Sequence, residues 1–480
     1  MQQLKRYLNI IISAVLIFAT LFSVMWNYLQ YQVKQPKFKQ RMLQTVTEQI
    51  GRKVILDGDC DLSFSPLGIK LTDVTIKSPQ NWADDADFLK AKEFRFQVKL
   101  QSLLDGRIEV AKIVLKHFTI NLMTSKIRGD NWSYWGQKTA SNAPRTDKEK
   151  LDLSYLEINE LDLIDGHIQL IEQKEPKLTL QLNRLNLSNL AFLENSRFIA
   201  SYLPKILMQL NFTGRGDIAT LTWENFTVQQ LKFNLIALDG LIQVRNCKWL
   251  WPTQGEGQLR GQLALNAGKD QLLVSWDVKN LRLIDLAPLA PGIKDVDGIV
   301  ESRGQLATEF DQLDEFQDNL TVKGQIALNN GVYYGLDIPF QIRRARDLVT
   351  GTVNEALVDQ NRTTLDHLNV KLESAKGKIK LANIDADTPD TTISGQGQIN
   401  LKRRTLQANM QVKLKKEPDI VVPLKLSGEL SRPRLSLDLK RFMDSQIKNL
   451  IPQVLDILAP SDAKNADKWL QKGLNLLNGS

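Results

Sequence analysis

The sequence predicts a mainly β protein: a long curled antiparallel sheet forming an apolar groove, with an N-terminal transmembrane helix and C-terminal amphipathic helices. Three observations carry that expectation. An uncharged run of 27 residues, Tyr7 to Val33, opens the chain; apolar and polar residues then alternate with period two through most of the remaining chain; and helical periodicity is almost missing between the alternating stretches. A sheet without crossover helices is expected to be antiparallel.

The N-terminal element is the most sharply defined. Within the uncharged run, Leu8 to Leu29 forms an apolar core broken by Asn9, Ser13, Thr20, Ser23 and Asn27, long enough for a bilayer that needs about 20 residues. A cleaved signal peptide has a shorter apolar region and a small-residue cleavage pattern, whereas this one runs into Met25, Trp26 and Asn27, so a retained anchor over residues 1–34 is expected. Trp26, Tyr28 and Tyr31 cluster near its far end, where amphipathic rings favour the interface. Orientation is left open by charge. Lys5 and Arg6 precede the span and Lys34, Lys37, Lys39 and Arg41 follow it, a count that puts the body on the cytoplasmic side, but the rule weakens for long domains.

Phe38, Met42, Val46 and Ile50 then predict a short amphipathic helix entered at Pro36 and closed by Gly51. The body, residues 35–440, reads as strands: Ile69/Leu71, Val74/Ile76, Phe94/Phe96/Val98/Leu100, Phe118/Ile120/Leu122, Leu151/Leu153/Tyr155, Leu178/Leu180/Leu182, Leu185/Leu187, Leu263/Leu265, Leu424/Leu426 and Leu435/Leu437/Leu439. Residues 136–150 (GQKTASNAPRTDKEK) are polar and unpatterned and read as a loop, and a helix is expected between Phe198 and Leu210. Residues 441–480 are assigned to closing amphipathic helices, whose apolar stripe starts at Leu439 and runs to Leu458, with Pro452 as a kink; Trp469, Leu470, Leu474 and Leu477 form a second piece.

Composition narrows the chemistry. The net charge of +8 is modest, and its membrane-proximal part (Lys34, Lys37, Lys39, Arg41, Arg52, Lys53) suits an anionic lipid surface. Further basic clusters stand at Arg343, Arg344 and Arg346, at Arg403 and Arg404, and at Lys413, Lys415 and Lys416; the last, interleaved with Val412 and Leu414, reads as a solvated strand face, and no nucleic-acid partner is expected. Cys60 and Cys247 lie 187 positions apart without metal-site spacing, and their pairing is open. Asp57, Asp59 and Asp61 have the opening spacing of a calcium loop but lack its glycine and glutamate, so a turn is expected. His117, His167 and His367 are scattered, and Gly255-x-Gly257 and Gly395-x-Gly397 lack a strand-to-helix setting for phosphate. No enzyme activity, no cofactor and no metal is expected.

An apolar sheet face must be buried against something. Helices are few, so two readings stay open: the core of an ordinary β-sandwich, or a trough that takes an apolar partner such as lipid acyl chains. In the second reading, Phe94, Phe96, Val98, Phe118, Ile120, Leu122, Leu178, Leu180 and Leu182 line the groove.

A resemblance adds to this. Val46–Ile76, with a helix ending at Gly51, a strand through Val54–Leu56, Gly58, Pro66-Leu67-Gly68, Leu71 and Val74, is similar to the opening of the AsmA family. Ile113–Trp132, with Gly129, Asn131 and Trp132, resembles that family's strand followed by glycine and Asn-Trp; Leu156–Ile171, Gly324–Phe340, Gly395–Leu401 and Val422–Pro433 resemble later elements. The likeness runs from Leu8 to about Lys440, while the closing helices match no family motif. It implies a single-pass protein of the bacterial inner membrane with its body in the periplasm, and a repeating β-groove related to chorein-type bridge-like lipid-transfer proteins. Its partners would be phospholipid and the inner membrane, with the outer membrane or envelope proteins beyond, in outer-membrane biogenesis and lipid homeostasis. The alternatives are a structural scaffold of the cell envelope that recruits partner proteins without lipid transport, and a cytoplasmic body held by a basic surface to anionic lipid or nucleic acid.

Overall fold

The computed structural model describes Thr20 and residues 23–437, apart from 65, 83–84, 100–101, 103–108, 133–157, 193–207, 209, 266–267, 290–293, 313–314, 336, 351–357, 376–377, 417–420 and 431. Most of the expected span, the 136–150 loop, the expected helix up to residue 207 and the C-terminal helices from 441 lie outside the described residues. The last part of the expected span, residues 23–34, is helical. Among the described residues no helix is long and apolar enough to cross a membrane.

Helix α1 (Pro36–Ile50) begins as the sequence predicts: Gln35 is extended, Pro36 supplies a preset φ, and Gly51 ends the helix with φ 73°, its N–H donating to the Thr47 carbonyl. The strands after it are β1 (Val54–Leu56), β2 (Cys60–Phe64), β3 (Leu67–Ile76), β4 (Leu89–Val98), β5 (Val110–Ser125), β6 (Gly129–Asp130), β7 (Ile158–Glu172), β8 (Glu175–Phe192), β9 (Leu210–Trp223), β10 (Phe226–Leu238), β11 (Leu241–Leu250) and β12 (Glu256–Ala264). After β13 (Asp270–Arg282), β14 (Val296–Phe310) and β15 (Thr321–Tyr334) comes helix α2 (Ile338–Thr350). The chain then continues with β16 (Arg362–Ala375), β17 (Lys378–Asp387), β18 (Thr391–Asn400), β19 (Thr405–Leu414), β20 (Val421–Glu429) and β21 (Arg432–Leu437). The protein is mainly β, with 21 strands among the described residues. The chain divides into two compact units, Met1–Val278 with Ala307–Phe316, and Lys279–Leu306 with Gln317–Ser480.

In the first unit, β1 and β2 pair with β3, and the ladder continues through β4, β5, β7, β8, β9, β10, β11 and β12. The expectation of a wholly antiparallel sheet is corrected at one step: β5 and β7 are parallel. Residues 126–157 separate them, ample for the dozen or more residues a parallel crossover requires, while short β6 folds back on β5.

The strands are longer than period-two segments alone would make them, because the alternation reverses phase inside them. Asp73, His117, Asp165, Gln230 and Asn246 have φ between 48° and 52°. One left-handed residue in an extended strand turns the chain over, so the residues at i−2 and i+1 face the same way. Leu71 and Val74 flank Asp73, Leu115 and Phe118 flank His117, Leu163 and Gly166 flank Asp165, Val228 and Leu231 flank Gln230, and Val244 and Cys247 flank Asn246. Where alternation separates Ile69/Leu71 from Val74/Ile76, one strand carries both pairs on one face. Asp, Asn and His tolerate this conformation better than bulkier residues do.

The second unit has a conventional core. The ladder β15 to β21 is antiparallel throughout, and β19 alternates strictly, with Leu406, Ala408, Met410, Val412 and Leu414 buried. Helix α2, which the sequence pattern did not predict, adds Ile338 and Ile342 to this cluster, and Ile342 and Val412 are fully buried. Asp337 starts it: one carboxylate oxygen accepts from the Phe340 N–H at 2.9 Å and the other from the Gln360 N–H at 3.1 Å, while Thr363 Oγ1 accepts from the Ile338 N–H at 2.9 Å. Asp337 with Pro339 two positions on was the legible signal.

The left-handed positions can be tested directly. Asp165→Val, a β-branched residue at positive φ, is expected to lower stability by about 1–2 kcal/mol, whereas Asp165→Gly is expected to be neutral or stabilising. Thermal melts of the two variants check it; equal destabilisation by both would show that the left-handed backbone is not what Asp165 provides.

Candidate functional site

Residues opposite each other in a ladder project to the same face, so register decides which apolar side chains form one surface. One line across the first unit reads Ile69, Phe96, Ile113, Leu161, Leu187, Gly214, Leu235, Val244 and Gly261 on β3, β4, β5, β7, β8, β9, β10, β11 and β12. The next reads Leu71, Phe94, Leu115, Leu163, Leu185, Gly216 and Phe233. Beyond the phase reversal come Leu56, Val74, Ala91, Phe118, Gly166, Leu182, Ile218 and Leu231, then Val54, Ile76, Leu89, Ile120, Ile168, Leu180, Leu221 and Val228. A last line holds Leu122, Leu170, Leu178, Trp223 and Phe226. These lines run perpendicular to the strands, and nine strands at a spacing of ~4.8 Å make the longest about 38 Å.

All nine sequence-predicted residues lie on such lines. Phe94, Phe118, Ile120, Leu180 and Leu182 share one hydrophobic cluster; Phe96, Leu122 and Leu178 extend neighbouring lines; and Val98 belongs to a separate one with Val110, Ile158 and Leu190. Every member of the shared cluster comes from β4, β5, β7, β8, β9 or β10. Ala91, Leu115, Phe118, Leu182 and Ile218 are buried, but Phe94, Ile120, Leu163, Ile168, Leu180, Leu185, Leu221, Leu231 and Phe233 are only partly so. No helix and no second sheet contributes to it among the described residues, in contrast to the α2-covered face of the second unit.

Glycine lets aromatic rings lie flat on this surface. A Cβ at Gly166 would overlap the Phe118 ring, one at Gly216 the Phe233 ring, and one at Gly257 the Trp249 ring; each glycine is the direct cross-strand partner of its aromatic. From sequence, Gly166 suits a turn or bulge. The structure shows instead a position without a side chain beneath a ring.

At the N-terminal edge, the helical segment 23–34 and α1 close onto the first strands. Val33, Leu56, Cys60 and Val74 are buried together, with Met42, Leu43, Leu62, Ile69, Leu71 and Phe94 packed against them. Phe94 thus belongs to both clusters and joins this edge to the face beyond. The Gln30 side chain donates to the Leu62 carbonyl and accepts from the Leu62 N–H, occupying hydrogen-bonding groups along β2. Behind α1, Arg52 donates to the Asn131 carbonyl at 2.7 Å and stacks 4.5 Å from the Phe88 ring centroid. Asn131, fully buried, accepts from the Met123 N–H at 2.8 Å and donates to the Asn121 carbonyl at 2.9 Å, so its side chain extends the pairing of β5. The Gly-x-Asn-Trp motif is thereby a rivet between the sheet and the chain leaving α1.

The reverse face of the sheet is ionic. Asp162 accepts two 2.8 Å bonds from Arg184 and lies 3.5 Å from Lys112, which also bonds Glu160 at 2.8 Å; Glu93 meets Lys70, Arg95 and Lys116. Burial pushes the Asp162 carboxyl up, but Arg184 and Lys112 together hold it below the ordinary carboxylate range. Cys60 and Cys247 are free thiols, both raised chiefly by burial. Cys247 is in register with Leu259, on the apolar side. Among the described residues no group of histidine, cysteine or carboxylates is arranged to hold a metal.

Comparison with known proteins gives one finding of similarity: residues 1–214 match the model of the AsmA family. Over those residues the chain is similar to the AsmA family. No curated protein and no solved structure matches it. The matched segment takes in α1, β1 to β8 and the start of β9, and with them the Asn131 rivet and most of the apolar lines.

Acid stability tests the reverse face. Because the folded Asp162 carboxyl is depressed, its stabilisation is complete above the ordinary Asp value of about 3.9 and disappears as pH falls through the lower folded value. Asp162→Asn is expected to lower stability at pH 7 and to flatten the loss below about pH 4, measured by denaturant unfolding across pH 2–7. An unchanged acid limb would remove Asp162 from it.

Proposed function

We propose that this is a membrane-anchored lipid-binding protein that holds phospholipid acyl chains on the apolar face of its first unit and conducts them away from the membrane. One observation carries the reading: apolar side chains line up in register across as many as eight strands, yet stay partly exposed with no covering layer among the described residues. A sandwich core would bury them. Acyl chains satisfy such a surface by burial alone, without directional contacts, so movement along a line breaks no hydrogen bond. The ionic reverse face keeps the other side in water. The AsmA-family match over residues 1–214 supports a lipid-transfer type of groove, and the packing of segment 23–34 against β1–β3 starts the apolar lines beside the expected anchor. On this reading the body is periplasmic, the donor is the inner membrane, and the acceptor is the outer membrane. No catalytic step is part of it.

Two measurements test it. A photo-crosslinking residue at Ile120 or Leu180 should capture phospholipid, while Thr119 and Gln181, on the reverse face, should not; Leu180→Asp should sharply reduce capture at Ile120, since an unpaired charge in an apolar site costs several kcal/mol. Equal capture from both faces, or none, would refute the lipid conduit. A reporter fused after Ser480 should be active only in its periplasmic form, and activity of the cytoplasmic form would reverse the topology.

A further inference from the structure

We infer that the outward face of α1 is a docking surface for an anionic phospholipid bilayer, which sets the first strands of the sheet at the headgroup layer. This rests on the membrane-anchored reading above and adds a second, independent contact to it. The structure separates the basic residues near the anchor by what they do. Lys34 pairs with Asp61 at 3.2 Å, Lys39 donates to the Gly58 carbonyl at 2.8 Å, and Arg52 is buried on Asn131. Those three are engaged within the fold. Lys37 and Arg41, four residues apart and so on the same side of α1, are exposed, and no acidic side chain among the described residues pairs with either.

Phe38, next to Lys37 in the chain and one turn before Met42, stands at the margin of that side and is 39% exposed, although Met42, Leu43 and their partners offer an apolar bed beside it. An exposed aromatic at the margin of a helix side that carries two cations is the composition of an interfacial contact. Position agrees with composition. Tyr28 and Tyr31, at 59% and 64% exposure, are the rings expected at the interface. From Tyr31 to Pro36 a helix rises only about 7.5 Å, comparable to a headgroup layer of roughly 5–7 Å. The extended Gln35 then interrupts the helix, so α1 need not continue along the anchor axis into water. Charge complementarity selects anionic over zwitterionic lipid, by about 1 kcal/mol per Lys or Arg near the surface.

The test uses the full chain reconstituted in phosphatidylcholine vesicles, with and without 30% phosphatidylglycerol. A benzophenone amino acid replaces Phe38, Thr119 or Ile120 in separate samples. Position 38 is expected to capture lipid strongly with phosphatidylglycerol and more weakly without it, and position 119, on the reverse face of the sheet, to capture little. Lys37→Glu with Arg41→Glu should cut capture at 38 at least about tenfold in the anionic vesicles. The same pair should leave the melting temperature and capture at 120 unchanged. If the chain floats with the vesicles but position 38 captures no lipid, or capture ignores the charge reversal, the docking surface is refuted while the groove stands or falls on position 120. Capture at 38 without capture at 120 keeps the docking surface and removes the groove. A chain that does not float removes both.

Discussion

A sheet that keeps one face apolar over long strands must reconcile two periods. Side chains alternate strictly, but the strands here carry left-handed residues, and each one exchanges the two faces for everything beyond it. The surface survives because the sequence shifts its pattern at the same places: apolar residues fall three apart across Asp73, His117 and Asp165, where they fall two apart elsewhere. Register then stacks these reversals strand on strand. The Asp165 carboxylate lies 3.6 Å from the His117 ring, and the Asn183 amide reaches Asp217 at 2.9 Å, so the residues around the reversals also meet on the polar side. Every apolar line depends on this agreement between backbone and pattern.

The reverse face has its own logic. Its charges lie in cross-strand and diagonal pairs, and Asp162 and Glu93 each gather two or more cations. Exposed pairs of this kind contribute little each; Asp162, nearly buried under Arg184, is the exception. Val114, buried between Arg95 and Asp162 in the register, shows that the ionic face also covers apolar atoms with its side-chain stems. A one-residue slip would bring this charged set onto the apolar side, which makes the register costly to change.

The two units solve the same problem differently. In the second, Leu368, Ala386, Ile393, Val412 and Val422 also form a cross-strand line, but α2 lies on their cluster and several members are wholly buried. Arg343 ties the helix to Asp390 at 2.9 Å, and the β17–β18 turn beside it is closed by the buried Thr388 and Thr391 hydroxyls, 2.8 Å apart. That face is a finished core. The face of the first unit still exposes apolar area, and it is there that an apolar ligand would gain most by burial.

Much of this was determined by the sequence alone. Period two dictated strands, Pro36 and Gly51 bounded α1, and all nine proposed groove residues were chosen by alternation and lie on apolar lines. Asn131 and Trp132 were legible as a motif, though not as a rivet, since a buried amide that completes a neighbouring strand depends on contacts distant in sequence. Tertiary structure decided the rest. The parallel β5–β7 step, the joining of short alternating segments into long strands through left-handed residues, and the placing of Phe118 over Gly166 all depend on which strand lies beside which. Alternation tells a residue which side of its own strand it occupies; only the ladder, fixed by hydrogen bonds between strands, tells it whose side that is.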